Sequence, residues 1–331
     1  MHEKKNVTRR GFIGSSLAAA GTVAAAGLAS DARAETPERE ENPTYEGMPC
    51  GYIGGHKVTR LMFGGNLLSG YMHCRDLRYV NQLFRSYATR DKVNETLALA
   101  EKHGINIVFG SGGEHVIQYN QTQGGKLLYI ATLYKMEDEQ QLRDEVKRCV
   151  DRGAIAIYFQ GHPVDKLVRD DRADQIKRCV EIAKDCCKVP VGVGGHCVTV
   201  PPACEAADVP TDFYVQTLHG DNYFSATRKE ERTDYMIYDG NPHWQDNMWC
   251  SDADKMVDIF SNITKPWIAF KVLAAGAIRP REGMTFAYEG GGDFVPVGMF
   301  DFQVEENCEL AARIIRRAAE RARPWRDIER T

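Results

Sequence analysis

Short apolar runs and amphipathic stretches alternate along most of the chain, from Val58 to Ala319. The apolar runs are typical of buried parallel strands, and the stretches between them carry apolar residues at the three- and four-residue spacing of helices. Eight strands are predicted, beginning at Val58, Ile105, Lys126, Ala154, Val189, Asp212, Pro266 and Asp293. Eight strand–helix units fit a closed (β/α)8 barrel, the α/β fold called a TIM barrel, in which chemistry takes place on the loops after the strands.

A single barrel domain is expected, because about 250 residues is the usual size of this fold. Two of the predicted helices, over residues 90–104 and 137–153, end at a glycine that suits a helix C-cap. We assign residues 35–48 to a linker, 49–323 to the barrel and 324–331 to a C-terminal tail. A doubly wound open sheet is the alternative, but it would leave some of the units without a place.

The first 34 residues differ in character from the barrel and resemble a twin-arginine export signal. Arg9 and Arg10 precede Phe12 and a Gly/Ala-rich run, and a small-residue cleavage pattern ends at Ala34. This resemblance implies a partnership with the twin-arginine export machinery, export in the folded state, and a periplasmic or extracytoplasmic location. A membrane anchor that stays uncut is the alternative. No later segment is long and apolar enough to span a bilayer.

Charge and cysteine content narrow the class of protein. The chain carries 42 Lys and Arg against 46 Asp and Glu, and it has no basic stripe, so nucleic-acid binding is disfavoured. All ten cysteines follow the predicted signal, and no CxxC pair is present to indicate a zinc ribbon. Because folding in the cytoplasm argues against a disulfide framework, most of these thiols are expected to be free and buried.

Polar side chains collect at the predicted strand ends, where a barrel enzyme keeps its chemistry. Histidines follow three consecutive strands, the fourth, fifth and sixth, at His162, His196 and His219. Lys271 is predicted within the seventh strand, and Asp301 follows the eighth. These five residues are the candidate catalytic residues.

Two chemical interpretations of these residues remain open. His162, His196, His219 and Asp301 match a zinc-like or iron-like ligand set with room for a water molecule, so a divalent metal is one reading. The other is that the histidines line a polar pocket and bind substrate by hydrogen bonds. Lys271 could be a buried partner of Asp301, or, if desolvated, a lysine that binds substrate or forms a Schiff base with it.

Two long loops are expected to cover the same end of the barrel. They span residues 66–90 and 219–250 and mix aromatic side chains with short carboxylates and amides, a composition that suits the apolar faces and hydroxyl groups of a sugar. A small-molecule substrate such as a sugar is therefore expected, and an oligomer contact is the alternative role of the loop over 219–250. The candidate substrate-binding residues are Asn66, Gln160, Tyr223 and Trp244.

Several segments resemble the aldo/keto reductases. Residues 54–66 resemble that family's entry hairpin and first strand, residues 157–165 its fourth-strand motif with an active-site histidine at His162, and residues 270–278 the loop along the cofactor pyrophosphate. Residues 297–307 resemble the segment that holds the adenine end. The resemblance implies an NAD(P) cofactor and cofactor-binding roles for Gln216, Gly276, Gly298, Glu306 and Asn307.

The catalytic residues of that family are mostly replaced. Its strand-two aspartate falls at Phe109, its strand-three lysine at Leu133, and its proton-donating tyrosine has no counterpart in the shortened segment over residues 110–116. The sequence therefore predicts an exported barrel enzyme for a small polar carbonyl or sugar-like substrate, with nicotinamide-dependent oxidation or reduction implied by the resemblance. The alternatives are a metal-dependent lyase, isomerase or hydrolase, and a binding barrel without catalysis.

Overall fold

The computed structural model describes residues 39–235 and 243–331. The predicted export signal lies outside the described residues, so its prediction stays untested. The fold begins with a small antiparallel sheet of three strands, β1 (Thr44–Tyr45), β2 (Met48–Ile53) and β3 (His56–Thr59).

Eight parallel strands then form one sheet in the order β10-β9-β8-β7-β6-β5-β4-β11. They are β4 (Leu61–Gly64), β5 (Ile107–Phe109), β6 (Leu128–Leu133), β7 (Ala156–Phe159), β8 (Val191–Gly195), β9 (Phe213–Thr217), β10 (Trp267–Phe270) and β11 (Val295–Val297). A parallel bridge between Ile268 and Phe294 joins the two outer strands, and the Ala269 N–H donates to the Phe294 carbonyl at 2.9 Å. The sheet is therefore closed into the predicted (β/α)8 barrel.

The helices lie between the barrel strands and bury one face each against the sheet. They are α1 (Arg78–Tyr87), α2 (Arg90–Lys102), α3 (Gly113–Gln123), α4 (Glu139–Asp151), α5 (Gly161–Arg169), α6 (Ala173–Cys186), α7 (Val200–Ala206), α8 (Ala253–Asn262), α9 (Pro280–Glu289) and α10 (Asp301–Arg317). The helices predicted over 90–104 and 137–153 correspond to α2 and α4. Each begins at a capping side chain, Thr89 or Asp138, that accepts a backbone N–H of the first turn.

The strands alternate between two cores. Side chains such as those of Met62, Ile107, Ile130, Phe213 and Ile268 fill the barrel interior, and the intervening residues pack against the helices. All ten cysteines are free thiols and seven of them are buried, as the sequence predicts.

The end of the barrel where the strands begin is covered by two segments of the chain. Strands β2 and β3 bring Ile53 and Val58 onto it, and Ile328 pairs with Ile53 from the C-terminal segment. Asp293, fully buried, accepts hydrogen bonds from Arg321 at 2.6 Å and Arg323 at 2.7 Å. Residues 324–331 thus pack on this closed end, opposite the strand ends that carry the candidate site.

Two strand predictions need correction. The run predicted as one strand from Val58 divides at Arg60, because Val58 and Thr59 pair with β2 while Leu61 onward pairs with β5 and β11. The seventh strand ends at Phe270, so Lys271 lies just after it. In the described part of the chain, no helix has the length and apolar character needed to cross a membrane.

Candidate functional site

Lys271 lies at the mouth of the barrel, directly after β10. Its backbone has a φ of 59°, the left-handed region that a residue with a side chain rarely adopts, and this turns the side chain out of the alternation of the strand. The ammonium nitrogen Nζ lies 3.0 Å from Nε2 of His73 and 3.4 Å from the centre of the Trp249 ring. Strained backbone of this kind persists only where the surroundings impose it.

The environment of Lys271 favours the uncharged amine. Burial of the amino group lowers its pKa to about 7, although the carboxylates of Asp246 and Asp165 act in the opposite direction. The Trp249 ring also stabilises the cation. Near neutral pH, Lys271 therefore exists in both protonation states, which is the condition for an amine that attacks a carbonyl group or exchanges protons.

His73 and Asp246 connect the two long loops at Lys271. Nδ1 of His73 lies 2.8 Å from a carboxylate oxygen of Asp246, and the other oxygen accepts the Cys74 N–H at 3.2 Å. Burial is the main cause that lowers the pKa of His73, and the neighbouring Lys271 charge adds to it. Because the Nδ1–H group of the neutral His73 ring donates to Asp246, Nε2 is the acceptor that faces the Lys271 amine.

His196 and Asp165 form a second pair, which also contacts Trp249. The Asp165 carboxylate is fully buried, lies 2.6 Å from Nδ1 of His196, and accepts the N–H groups of His196 and Cys197 at 2.8 and 2.9 Å. The His196 ring lies between Trp249, at 5.0 Å, and Phe270, at 5.4 Å between centroids. Burial lowers the pKa of His196. Nε2 is thus the ring nitrogen that Asp165 leaves available.

His219 holds the loop that carries Trp249. Its Nε2 accepts the N–H groups of Trp249 and Cys250, both at 3.0 Å, and its Nδ1 donates to the Gly220 carbonyl at 2.8 Å. Burial lowers the pKa of this ring to about 4. Because both nitrogens are engaged, His219 has no lone pair left for a metal ion.

The other predicted catalytic residues lie apart from Lys271 in their contacts. Asp301, at the start of α10, accepts a hydrogen bond from Tyr87 and pairs with Lys92 at 3.1 Å, so the predicted pairing with Lys271 is absent. His162 lies in the first turn of α5, where its N–H donates to the Gln160 side chain at 2.7 Å. The structure thus brings His196 close to Lys271. Asp301 is engaged elsewhere and both nitrogens of His219 are engaged, so neither of these residues is available as a base.

The residues predicted to bind a nicotinamide cofactor are not arranged for it. Gln216 points to the helix side of β9, where its amide donates to the Cys197 carbonyl at 2.9 Å. In α10, Asn307 is buried whereas Glu306 is exposed. In the loop that contains Gly276, the N–H groups of residues 274 and 276–278 all donate to carbonyls of the same loop. After β11 and Gly298, the Phe300 N–H is taken by the Gln303 side chain at 3.0 Å.

The predicted substrate-binding residues lie around the mouth or in its covering loop. Exposed Asn66 accepts a hydrogen bond from Ser111 at 3.0 Å, and Gln160 is half-buried at the end of β7. The Tyr223 hydroxyl donates to the Asn247 carbonyl at 2.8 Å, and Trp244 packs edge-on against Trp249 at 5.2 Å. Residues 66–77 and the described part of 219–250 do meet at this end of the barrel, where His73 contacts Asp246, but residues 78–87 of the first predicted loop form α1.

Sequence reasoning missed Asp165, Asp246 and the catalytic potential of His73. The signal for Asp165 is its position one turn into a helix that starts at a strand end, which sets it beside the next strand end. Nothing in the sequence pairs His73 with Asp246, because 173 residues separate them. Only the meeting of two irregular loops does so.

Comparison with known proteins gives structural likeness only. No protein-family model matches the sequence. A search of curated proteins also found no match. Among solved structures, mandelate oxidase with (S)-2-phenylpropionate is 16% identical, with a TM-score of 0.46 over 86% of this chain and 81% of that chain. A mandelate oxidase mutant with a C4a-OH-FMN adduct is 15% identical, with a TM-score of 0.49 over 86% and 82%. At these sequence identities and TM-scores, the comparison supports no conclusion about the activity of this chain. Membership of the aldo/keto reductases is not shown.

The prediction of NAD(P) or a divalent metal as cofactor is wrong. Two of the similar mandelate oxidase structures hold an FMN adduct. Four N–H groups of the loop predicted to lie along the pyrophosphate, those of residues 274 and 276–278, donate to carbonyls of the same loop. Within residues 39–235 and 243–331, no three His, Cys, Asp or Glu side chains come together as a metal site. His162, His196, His219 and Asp301 are therefore not a ligand set.

Proposed function

We propose that this chain is an enzyme that acts on a small polar carbonyl compound, with Lys271 as the amine that attacks the carbonyl carbon. The observation that carries the proposal is the Lys271 amine itself, held by a left-handed backbone at a barrel mouth with its pKa lowered to about 7. A desolvated lysine of this kind is a nucleophile at neutral pH. Part of the Lys271 surface stays exposed.

The groups at the site account for each proton that moves in the proposed reaction. Attack of the neutral amine on the carbonyl carbon gives a carbinolamine as the nitrogen proton passes to oxygen. One further proton releases that oxygen as water and leaves an iminium ion on Lys271. His73 is the group through which this proton passes, since its Nε2 lies 3.0 Å from Nζ and Asp246 stabilises its charged form.

The strand ends around the mouth favour a polar substrate. Gln160 follows β7 and Tyr134 follows β6, and Phe270 offers a half-buried aromatic face beside Lys271. An aromatic face with hydrogen-bonding groups around it suits a hydroxylated carbonyl compound, including a sugar.

Mandelate oxidase structures raise flavin as another cofactor for such a barrel. In this fold a phosphate commonly binds to the loops after the seventh and eighth strands. Here the N–H groups of residues 274, 276–278 and 300 are already bonded within those loops. These N–H groups are therefore not available to a flavin phosphate, and the proposed chemistry uses no flavin.

We further propose that the protein works outside the cytoplasm after export in the folded state. This rests on the twin-arginine-like pattern of residues 1–34. Replacing Arg9 and Arg10 with lysine should retain the protein in the cytoplasm, which cell fractionation measures.

Reductive trapping tests the Lys271 proposal. Full-length protein is incubated with glyceraldehyde, dihydroxyacetone or pyruvate and sodium cyanoborohydride, which reduces an iminium ion to a stable secondary amine, and the label is located by peptide mass spectrometry. We expect one of these probes to label Lys271 with a rate that rises with pH and is half-maximal near pH 7, whereas an ordinary lysine requires a pH of about 10.4.

Two variants serve as controls. Lys271→Met should abolish the label, and Lys135→Met, which removes an exposed lysine after the third barrel strand, should leave it unchanged. Absence of label at Lys271 with all three probes would overturn the proposal and favour a barrel that binds without catalysis. A flavin absorption band in the purified protein would also contradict it.

A further inference from the structure

The site contains two histidine–aspartate pairs, and only one of them touches Lys271. His73 uses Nδ1 for Asp246 and Nε2 for Lys271, so both of its nitrogens are engaged. His196 uses Nδ1 for Asp165. Its ring nevertheless packs on the same Trp249 ring that covers Lys271, at 5.0 Å, and the Lys271 charge lies close enough to act on it. The two pairs therefore cannot have the same role.

The His196 ring is held in one position by Asp165 and by the backbone around it. Asp165 is fully buried and receives three hydrogen bonds from residues 196 and 197, which fixes the ring and keeps a proton on Nδ1. The ring also sits over Gly161, where a Cβ atom would come within 2.7 Å of its Cε1. A neutral imidazole with its Nδ1 proton held in this way presents Nε2 as a base.

We propose that His196 is the catalytic base and acid that moves a proton at the carbon next to the carbonyl of the bound substrate, with Asp165 as its positioning residue. This rests on the proposed iminium ion at Lys271. Nε2 removes a proton from that carbon, the C–H electron pair forms a carbon–carbon double bond, and the iminium electron pair moves onto nitrogen to give an enamine. Return of a proton from His196 to the same carbon restores the iminium ion, so the reaction is hydrogen exchange at that carbon, the step that enamine-forming isomerases and lyases share.

The contacts of His73 and His196 indicate different roles for the two histidines. His73 is bonded to the amine, so it serves formation and release of the iminium ion. His196 makes no hydrogen bond to the amine; its ring packs on Trp249 and Phe270, and Asp165 leaves its Nε2 available to the substrate. A positioned general base contributes about a hundredfold to ten-thousandfold to such a step.

Deuterium incorporation separates this proposal from the first one. The probe that labels Lys271 is incubated with the protein in deuterium oxide without reductant, and deuterium at the carbon next to the carbonyl is followed by NMR. His196→Asn is the informative variant, because its amide can donate to Asp165 in place of Nδ1 while nothing replaces Nε2. We expect the incorporation rate to fall about a hundredfold or more, with trapping at Lys271 kept within twofold of the wild type.

His103→Gln is the matched control, since His103 caps α2 on the outside of the barrel, and it should change neither rate. If His196→Asn failed to fold, which circular dichroism would show, His196→Ala with added imidazole replaces it, and recovery of incorporation by imidazole supports the proposal. Wild-type incorporation in His196→Asn, or no rescue of His196→Ala, would overturn it. Failure of wild-type trapping would instead overturn the iminium proposal on which it rests.

Discussion

At the scale of single residues, the partners of the ring nitrogens decide which histidine is a base and which is a structural acceptor. His73, His196 and His219 all have lowered pKa values because the protein excludes water from them. They differ in what their nitrogens meet: a carboxylate for His73 and His196, and backbone groups only for His219. A ring paired with a carboxylate can accept a proton at its other nitrogen, whereas His219 would have to break two hydrogen bonds first.

The pH dependence of stability should report His219. Its native pKa of about 4 lies below the ordinary value of 6.5, so the unfolded state takes up a proton as pH falls through 6.5 while the native state does not. Native stability should therefore fall between pH 6.5 and 4, in total by about 3 kcal/mol from this group. His219→Gln keeps an acceptor that does not titrate, so urea denaturation at pH 7, 6 and 5 should show a shallower loss. Equal slopes in both proteins would contradict the buried neutral ring.

At the scale of elements, the site depends on where α5 begins and where two loops meet. Gly161 starts α5 immediately after β7, and the His196 ring occupies the space above it. The loop over 66–77 brings His73, and the loop after β9 brings Asp246 and Trp249. Both loops add buried apolar residues to the core outside the strands, Leu68 from the first and Trp249 from the second, and both contribute to the site.

Gly161→Ala should therefore disturb the chemistry more than the fold. A Cβ atom at this position would lie 2.7 Å from Cε1 and 2.8 Å from Nδ1 of His196, closer than such contacts allow, so either the ring or the start of α5 must move. We expect deuterium incorporation into the bound probe to fall at least about tenfold, while trapping at Lys271 continues. Gly220→Ala, where a Cβ atom would meet nothing within 4 Å, is the control. An unchanged rate in Gly161→Ala would show that the ring position is not critical.

The sequence predicts the elements better than the site. Apolar runs identify every barrel strand, and their order along the chain determines which strand ends share the mouth, so His196 and Lys271 could be placed together. Whether a strand stops at Phe270 or continues through Lys271 depends on one φ angle, which periodicity does not report. The His73–Asp246 pair and the engagement of both His219 nitrogens depend on the path of irregular loops, and the metal prediction was wrong for that reason.

At the scale of the whole molecule, the two ends of the barrel are held by different means. The mouth is covered by loops joined through polar contacts, whereas the opposite end is closed by apolar residues of β2 and β3, by Ile328, and by a buried group of charges around Asp293. Burial of its guanidinium lowers the pKa of Arg321 to about 10 despite the neighbouring Asp293. The buried ion pairs around Asp293 thus lie at one end of the barrel, and the candidate site lies at the other.

Asp293→Asn should test the closed end. The substitution leaves Arg321 and Arg323 buried, with side chains 1% and 6% exposed, without their carboxylate. Breaking a buried pair in this way costs about 3 to 5 kcal/mol of unfolding free energy, which urea denaturation at pH 7 measures. Asp170→Asn, which removes the exposed partner of Arg169, should have little effect by comparison. A similar small change in both variants would indicate that the charges at the closed end are hydrated.

The attachment of Trp249 to the end of β9 also affects how the molecule opens. Its N–H is held by His219, and its carbonyl accepts the Thr217 hydroxyl at 2.9 Å, although the segment around it forms neither helix nor strand. Amide protons in irregular loops usually exchange with solvent through small local openings. Those of Trp249 and Cys250 should instead exchange as slowly as the amides of β9, because releasing them requires the strand end to open as well. The segment that covers the amine thus belongs to the same cooperative folding unit as the barrel wall.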